Sequence, residues 1–246
     1  MEPVQGDPVA LRERVADAHR RVLATATRIT DIEVAGPSLL PGWSRGHVLT
    51  HIARNADGLR NLLIWARTGI ETPQYASLQA RDQEISAGAG RTAAELAADI
   101  SDSGEAFGRE AGTLDATAWQ ASVRGLRGPA HPAWVVLRRR LSELEIHHVD
   151  LNAGYRPDDW PESFVDEFLQ NVTSAFDADE SAEPAELTNI STGQSYRIGT
   201  AARASAGPRC LVSGPGGPLL AWLLGRSDGA GLTAGPGGRL PAVPAW

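Results

Sequence analysis

The amino-acid sequence predicts two parts, an N-terminal antiparallel four-helix bundle over residues 1–155 and a small mixed α+β domain over residues 156–246. Three observations lead to this fold class. Apolar residues recur at helical spacing in four long segments of the first part. Short strand-like runs separated by glycine and proline turns follow in the second part. The apolar fraction of 42% in a chain of 246 residues is sufficient for packed cores.

The predicted helices of the first part have recognisable ends. Pro8 stands where a helix tolerates proline, at its start. Ser44 and Gly69 are the residue types that cap a helix at its N-terminus and C-terminus, and Gly154 and Pro157 stop the last helix. Helices of this length with longish connections are typical of an antiparallel bundle. We expect them over residues 9–32, 44–67, 92–110 and 133–152.

The second part alternates short apolar runs with turns, which predicts a small domain of mixed secondary structure. We expect helices over 163–176 and 218–225, strands over 187–191, 196–198 and 210–212, and a turn or loose end over 235–238.

Composition excludes several classes of function. The chain has 23 basic residues, all arginine, against 30 acidic residues, and its net charge of −7 argues against nucleic-acid binding. Without lysine there is no Schiff-base chemistry and no P-loop lysine. A single cysteine, Cys210, excludes an internal disulfide framework and a cysteine-based zinc cluster. No run approaches the roughly 20 apolar residues that span a bilayer, and the N-terminus lacks a signal-peptide pattern. We therefore expect a soluble cytoplasmic protein.

Histidine and glutamate residues in two predicted helices form a candidate metal site. His47 and His51 share a face of the second helix, and Glu143 and His147 share a face of the fourth. A glutamate and a histidine of one helix with a histidine of a facing helix give three ligands and leave a fourth position open, as in catalytic zinc sites. The alternatives are solvent-facing ion pairs on the fourth helix and, for His47, hydrogen bonding to backbone groups of the first helical turn.

Arg140 and Asp150 lie on the same stripe of the fourth helix as Glu143 and His147. In the ion-pair alternative Arg140 faces solvent and pairs with Glu143. Asp150 either accepts a hydrogen bond from a ligand imidazole or ends the helix.

The segment from Leu39 to Ala56, with Pro41-Gly-Trp-Ser-Arg-Gly-His-Val-Leu-Thr-His51 at its centre, resembles the mycothiol-dependent maleylpyruvate isomerases. These enzymes belong to the DinB-like helical-bundle metalloproteins. The segment from Trp65 to Tyr75 and the pattern Glu143-x-x-x-His147-x-x-Asp150-Leu fit the same family, as do Val212-Ser-Gly and Leu224-Gly-Arg226-x-Asp228-Gly near the C-terminus. The resemblance spans nearly the whole chain and is strongest over 39–85 and 140–155.

This resemblance implies particular roles for four residues. The three metal ligands of the family fall on His51, Glu143 and His147, and the usual metal is zinc, although another divalent metal fits the same ligands. An arginine of the C-terminal domain acts near the site, and Arg226 matches its position. We also expect Arg81 to help bind the cofactor, because the guanidinium fork suits the capture of carboxylates.

The implied reaction is the conversion of maleylpyruvate, a multiply charged carboxylate, to fumarylpyruvate in the breakdown of aromatic compounds. A thiolate adds to the cis double bond, the resulting single bond rotates, and expulsion of the thiol leaves the trans isomer. The low-molecular-weight thiol mycothiol is regenerated and so acts as a cofactor. Cys210 lies in an apolar run typical of a buried strand, and an inert cysteine there leaves the thiol to be supplied from outside.

Two other functions remain open from the sequence. The same site can serve a mycothiol S-transferase that leaves the thiol attached to an electrophile, since one fold hosts several reactions. A non-catalytic DinB-like binding module is the third possibility, which the complete set of three ligands disfavours.

Overall fold

The computed structural model describes residues 6–200, 210–235 and 238–244. The chain divides into two compact units, Met1–Tyr155 and Arg156–Trp246. It is mostly helical with a small mixed sheet, which confirms the predicted fold class.

Long helices dominate the described part of the first unit. The helix α3 packs against α5 and α7, and α1 packs against the same two helices, so that each of the four contacts two others. Their apolar stripes, which the sequence pattern identifies, form the core of the unit. The bounds are α1 Pro8–Ala26, α2 Asp31–Ala35, α3 Arg45–Thr68, α4 Leu78–Gly88, α5 Ala93–Ala111, α6 Ala116–Gln120 and α7 Val135–Asp150, with the two-residue strands β1 Ser122–Val123 and β2 His131–Pro132.

Helix caps occur where the residue types predict them. Ser44 is the N-cap of α3, and its backbone N–H donates to Nδ1 of His47 while its hydroxyl accepts from the His47 backbone N–H. This confirms the interpretation of His47 as a partner of backbone groups in the first turn. Gly69 ends α3 with φ of +72°, a left-handed conformation that favours glycine.

The helices of the first unit differ from the prediction in two places. The helix predicted over 9–32 ends at Ala26, because Thr30 caps a separate short helix, α2, through a capping box with Glu33. Helix α4 was not predicted. Of its residues only Ile85 is buried, so the helix lacks the apolar stripe on which the prediction relied.

The second unit has a four-stranded mixed sheet in the order β4-β3-β5-β6. The strand β3 pairs antiparallel with β4 and parallel with β5, and β5 pairs antiparallel with β6. The helices α8 and α9 pack together, and α8 also packs on β4. The bounds are α8 Glu162–Asp177, β3 Ala185–Asn189, β4 Gln194–Ile198, β5 Cys210–Gly214, α9 Gly216–Leu223 and β6 Thr233–Ala234, with a 3-10 helix at Pro157–Asp159.

The strand that contains Cys210 is not buried throughout, contrary to the prediction. Cys210 begins β5 and is only half-buried, and the neighbouring Leu211 is 54% exposed, so this strand has one buried face and is not enclosed on both sides. In the predicted turn over 235–238, residues 236 and 237 lie outside the described residues.

Within the described residues, none of the helices combines the length and hydropathy needed to span a membrane.

A glycine near the start of α3 allows this helix to approach the end of α4. A Cβ at Gly46 would lie 2.1 Å from the carbonyl oxygen of Ala89, which is backbone and cannot rotate away. The contact brings α4, which carries Arg81, against the helix that carries His51.

We expect Gly46→Ala to lower the free energy of unfolding by about 1–3 kcal/mol, because the added methyl group overpacks this contact. Gly108→Ala on α5 is the matched control, since a Cβ there meets nothing within 4 Å. That control should raise stability by about 0.5–1 kcal/mol through helix propensity. Urea unfolding of both variants measures the difference, and equal stabilities would contradict the role given to Gly46.

Candidate metal centre

Three side chains from α3 and α7 meet in the first unit. His51 comes from the second turn of α3, and Glu143 and His147 stand one turn apart on α7. The Nε2 atom of His51 lies 2.9 Å from Oε2 of Glu143, and Nε2 of His147 lies 3.3 Å from the same oxygen. One ligand atom from each residue lies within 4.8 Å of the others. The structure therefore brings together the three residues named as metal ligands in the sequence analysis.

Asp150 orients the imidazole of His147. Its carboxylate is fully buried, and Oδ2 lies 2.8 Å from Nδ1 of His147. Because Nδ1–H donates to Asp150, Nε2 of His147 points towards Glu143 and His51. Of the two readings of Asp150, the structure favours the hydrogen bond to the imidazole, although Asp150 is also the last residue of α7.

The electrostatics of the cluster depend on two carboxylates, that of Glu143 within the cluster and that of Asp150 beside it. Burial of His147 disfavours the imidazolium, but hydrogen bonds and charge interactions with Asp150 and Glu143 outweigh burial and raise the pKa of His147 to about 9. Burial alone would raise the pKa of Glu143, yet the two imidazoles hold that pKa well below its usual value. The cluster therefore holds an ionised carboxylate at neutral pH.

His51 is the most enclosed member of the cluster, at 4% exposure. Burial, together with the charge of His147, lowers its pKa, so that the neutral imidazole is favoured. The ring of Trp43 contacts His51 edge-on with centroids 5.7 Å apart, and stacks on His47 at 6.0 Å. Trp43 is therefore part of the wall beside the cluster, in addition to packing at the helix start.

Arg81 reaches the cluster from α4. Its Nη2 donates to Nδ1 of His51 at 3.2 Å, and its Nη1 pairs with Asp82 at 2.7 Å. Arg81 also has a side-chain hydrogen bond with Tyr75, whose pKa is raised mainly by burial. Neither α4 nor Tyr75 was part of the predicted site. The Leu-poor, charged sequence of α4 offered no periodic signal that would place it there.

Arg140 does not form the solvent-facing ion pair considered from the sequence. It is 1% exposed, and its Nη1 donates to the backbone carbonyl of Ile52 and to Oδ1 of Asn55, each at 2.8 Å. Glu143 lies close enough to favour the charged guanidinium, although burial dominates and lowers the Arg140 pKa to about 10. Arg140 thus ties α7 to α3 beside His51.

Arg226 and Cys210 belong to the second unit. Arg226 follows α9, its backbone N–H donates to the carbonyl of Ala221, and its Nη1 donates to the carbonyl of Leu224 at 2.7 Å. Cys210 Sγ lies 3.7 Å from the backbone carbonyl oxygen of Arg239. The contact of Arg226 with the end of α9 is that of a helix cap.

Two imidazole nitrogens and a carboxylate oxygen, presented by facing helices of a mostly helical protein, define a candidate centre for a divalent metal. A family model described as the mycothiol maleylpyruvate isomerase N-terminal domain matches residues 15–152, more than half of the chain, and the protein belongs to this family. The match confirms the resemblance derived from the sequence motifs, and every residue of the cluster lies within it.

Solved structures extend the likeness to the whole chain. The crystal structure of the mycothiol-dependent maleylpyruvate isomerase has 26% sequence identity and a TM-score of 0.90, with 98% of each chain covered. A crystal structure of a histidine-to-alanine mutant of that isomerase gives the same values. A comparison with curated protein sequences gave no significant match.

We expect His147 of the metal-free protein to titrate at a pH of about 9, as followed by NMR of its imidazole protons. The imidazolium therefore contributes stability that is complete below pH 6.5 and is lost as the pH rises through 9. Asp150→Asn should shift the titration to lower pH, because the amide removes one negative charge. The resonance of His131, which lies outside the cluster, serves as the control, and an unchanged His147 titration in the variant would contradict the role of Asp150.

Proposed function

We propose that this protein is a metal- and mycothiol-dependent isomerase that converts maleylpyruvate to fumarylpyruvate. The observation that carries the proposal is the His51, Glu143 and His147 cluster within the matched family domain. The full-length likeness to a solved mycothiol-dependent maleylpyruvate isomerase supports the same reaction. Neither the S-transferase nor the non-catalytic module gains support from a specific observation.

His51, Glu143 and His147 would hold the metal, and the donor set fits this role. Two neutral imidazoles and one carboxylate leave a net positive charge on a divalent ion and an open coordination position. The Nδ1–H of His147 keeps its bond to Asp150 while Nε2 faces the other two ligands, which is the arrangement that fixes the tautomer of a metal-ligating histidine. Zinc is the metal that we propose.

When bound, the two groups would supply complementary chemistry. The metal would favour the thiolate form of mycothiol, and reversible addition of this thiolate would convert the double bond of the substrate into a single bond that can rotate. The single cysteine of the chain, Cys210, is remote in sequence from the cluster and lies in the second unit. It gives no reason to assign the nucleophile to the protein itself.

Arg81 is suited to bind a carboxylate of the cofactor or substrate in the metal-loaded protein. An arginine has only hydrogen-bond donors, so in the contact with Arg81 the Nδ1 atom of His51 must be the acceptor. If Nε2 of His51 held the metal, the proton of the neutral ring would reside on Nδ1. Two donors would then face each other, and the Nη2 group of Arg81 would be available to an anionic partner.

Arg226 is the second candidate for carboxylate recognition, and we propose that it contacts the substrate during catalysis. The resemblance assigns it this role, whereas its hydrogen bond to Leu224 is that of a cap at the end of α9. The two roles predict different consequences of substitution.

We expect about one divalent metal per chain in the purified protein and a large loss of metal in His51→Ala, as measured by elemental analysis. His47→Ala is the matched control, because His47 lies one turn earlier on the same helix and outside the cluster. It should lose up to about 2 kcal/mol of stability with the cap but retain its metal. Undiminished metal in His51→Ala, or equal loss in both variants, would contradict the ligand assignment.

The ultraviolet absorbance of maleylpyruvate provides the direct test of the reaction. We expect conversion to the trans isomer only when mycothiol is added, with mycothiol recovered unchanged. Cys210→Ser should retain most of the activity, since the thiol comes from outside. A stable mycothiol adduct would indicate the S-transferase instead, and turnover without mycothiol would overturn the proposal.

We expect Arg226→Ala to lower kcat/KM strongly, by the equivalent of about 2–5 kcal/mol, because a buried charge-assisted contact loses one partner. Metal content should not change, and Arg226→Lys should recover only part of the loss, since an ammonium does not reproduce a two-pronged contact. Steady-state kinetics and a thermal melt are measured on the same variants. A lower Tm with unaltered kcat/KM would show that Arg226 only caps α9.

A further inference from the structure

The C-terminal end of α7 is held by two groups that come from the start of α3 and the loop before it. The backbone N–H of Leu39 donates to the carbonyl of Asp150 at 2.9 Å. Nε of Arg45 donates to the carbonyl of Leu151 at 2.8 Å, and Nη2 donates to the carbonyl of Asn152 at 2.9 Å. The last carbonyls of a helix have no partner within the helix, so these bonds supply one to three successive carbonyls. We call these two groups the α7 clamp.

The side chain of Arg45 is suited to this contact. Its planar fork presents several donors at once, and its charge lies at the negative end of the α7 dipole. Nη1 donates to the carbonyl of Glu33 at 3.1 Å, so that three backbone carbonyls hold one guanidinium. A Cβ at Gly36 would lie 2.7 Å from Nη1, and the absence of a side chain there makes room for the guanidinium.

The backbone that the clamp holds has a conformation that needs support. Asn152 has φ of +51°, and among the described residues it is the non-glycine residue with a positive φ. This left-handed conformation is unfavourable for a residue with a Cβ and persists where neighbouring groups fix it. The carbonyls of Leu151 and Asn152 flank the φ and ψ angles of Asn152, and Arg45 binds both. One guanidinium therefore fixes the bend at which the chain leaves α7.

The clamped backbone carries the carboxylate that orients a candidate metal ligand. Asp150 directly precedes this bend, its side chain is fully buried, and Oδ2 lies 2.8 Å from Nδ1 of His147. The strength of a hydrogen bond depends steeply on its distance and angle. A shift of the last turn of α7 would move the Asp150 carboxylate relative to the imidazole and weaken this bond.

We propose that Arg45 is a positioning residue for the metal centre, which acts through Asp150 on the imidazole of His147. Arg45 is not a member of the ligand cluster. Its effect on metal affinity rests on the proposed function, whereas its effect on the bond between Asp150 and His147 does not. The alternative is that Arg45 only stabilises the fold as a helix cap.

NMR of the metal-free protein, with the histidines labelled with ¹⁵N, tests the positioning role directly. The Nδ1–H proton of His147 resonates far downfield while it donates to a carboxylate, and we expect it to shift upfield in Arg45→Met. Arg67→Met is the matched control, because Arg67 lies on the same helix and its Nε binds Glu110 at 2.7 Å, away from the cluster. This control should leave the resonance unchanged. An unchanged resonance in folded Arg45→Met, or an equal shift in Arg67→Met, would overturn the proposal.

Thermal melts establish that each variant is folded. If Arg45→Met does not fold, Arg45→Lys takes its place, since an ammonium keeps the charge at the end of α7 but lacks the fork that binds two carbonyls. The resonance should shift in the same direction in this variant, and an unchanged resonance would again overturn the proposal.

Zinc affinity, measured by competition with a chelator, tests the consequence for the metal centre. Loss of a group that orients a metal-binding histidine typically weakens metal binding 10–100-fold, and for Arg45→Met, which acts one step further away, we expect a loss of about threefold or more. In the Asp150→Ala background Arg45→Met should cause no further loss, because the group through which it acts is absent. Equal losses with and without Asp150 would show that Arg45 only stabilises the fold. If the wild type bound no zinc, the proposed function would fail, and the NMR shift would still decide the positioning role.

Discussion

The buried guanidinium of Arg140 is the interaction on which the architecture of the first unit depends. A cation removed from water needs compensating interactions, and Nη1 of Arg140 donates to two oxygens of α3, the Ile52 carbonyl and the Asn55 side chain. These bonds fix α7 against α3 immediately beside His51 and one turn before Glu143. Loss of these acceptors would leave a buried cation without hydrogen bonds, so they favour this register between the two helices. The position of the three candidate ligands follows from it.

The charged groups around the cluster determine the protonation states and tautomers of their neighbours. Asp150, fully buried, holds one side of the His147 ring, while Glu143 faces the imidazoles of both histidines. Arg81 approaches from α4 and fixes the tautomer of His51 in the metal-free protein. Two carboxylates thus stand against one imidazolium and one guanidinium, and these four charges balance. A divalent ion in place of the imidazolium proton of His147 would leave one net positive charge, which would favour anionic partners.

Periodicity and residue chemistry were sufficient to predict the long helices, the ends of α3 and the pairing of two ligands on α7. The apolar stripes located the long helices, Ser44 and Gly69 defined the ends of α3, and the four-residue spacing of Glu143 and His147 placed both on one face. Spacing did not separate His51 from His47, and the family motif was needed for that choice. What the sequence did not reveal depends on tertiary contacts. Helix α4 has too few apolar residues to be periodic, and the burial of Arg140 follows from how α7 packs against α3. A polar side chain at a helix face has the same pattern in sequence whether it meets solvent or a neighbouring helix.

The hydrogen bond between His51 and Glu143 joins residues that are 92 positions apart in the chain. Before the helices associate, these residues lie on a long flexible loop whose closure is entropically unfavourable. Neither α3 nor α7 alone carries all three ligands, so the centre forms only after both helices have formed and docked. An ion bound by all three side chains would act as a reversible crosslink, since it would bind the native arrangement and not the extended chain. Metal binding at this centre would therefore increase the free energy of unfolding of the first unit.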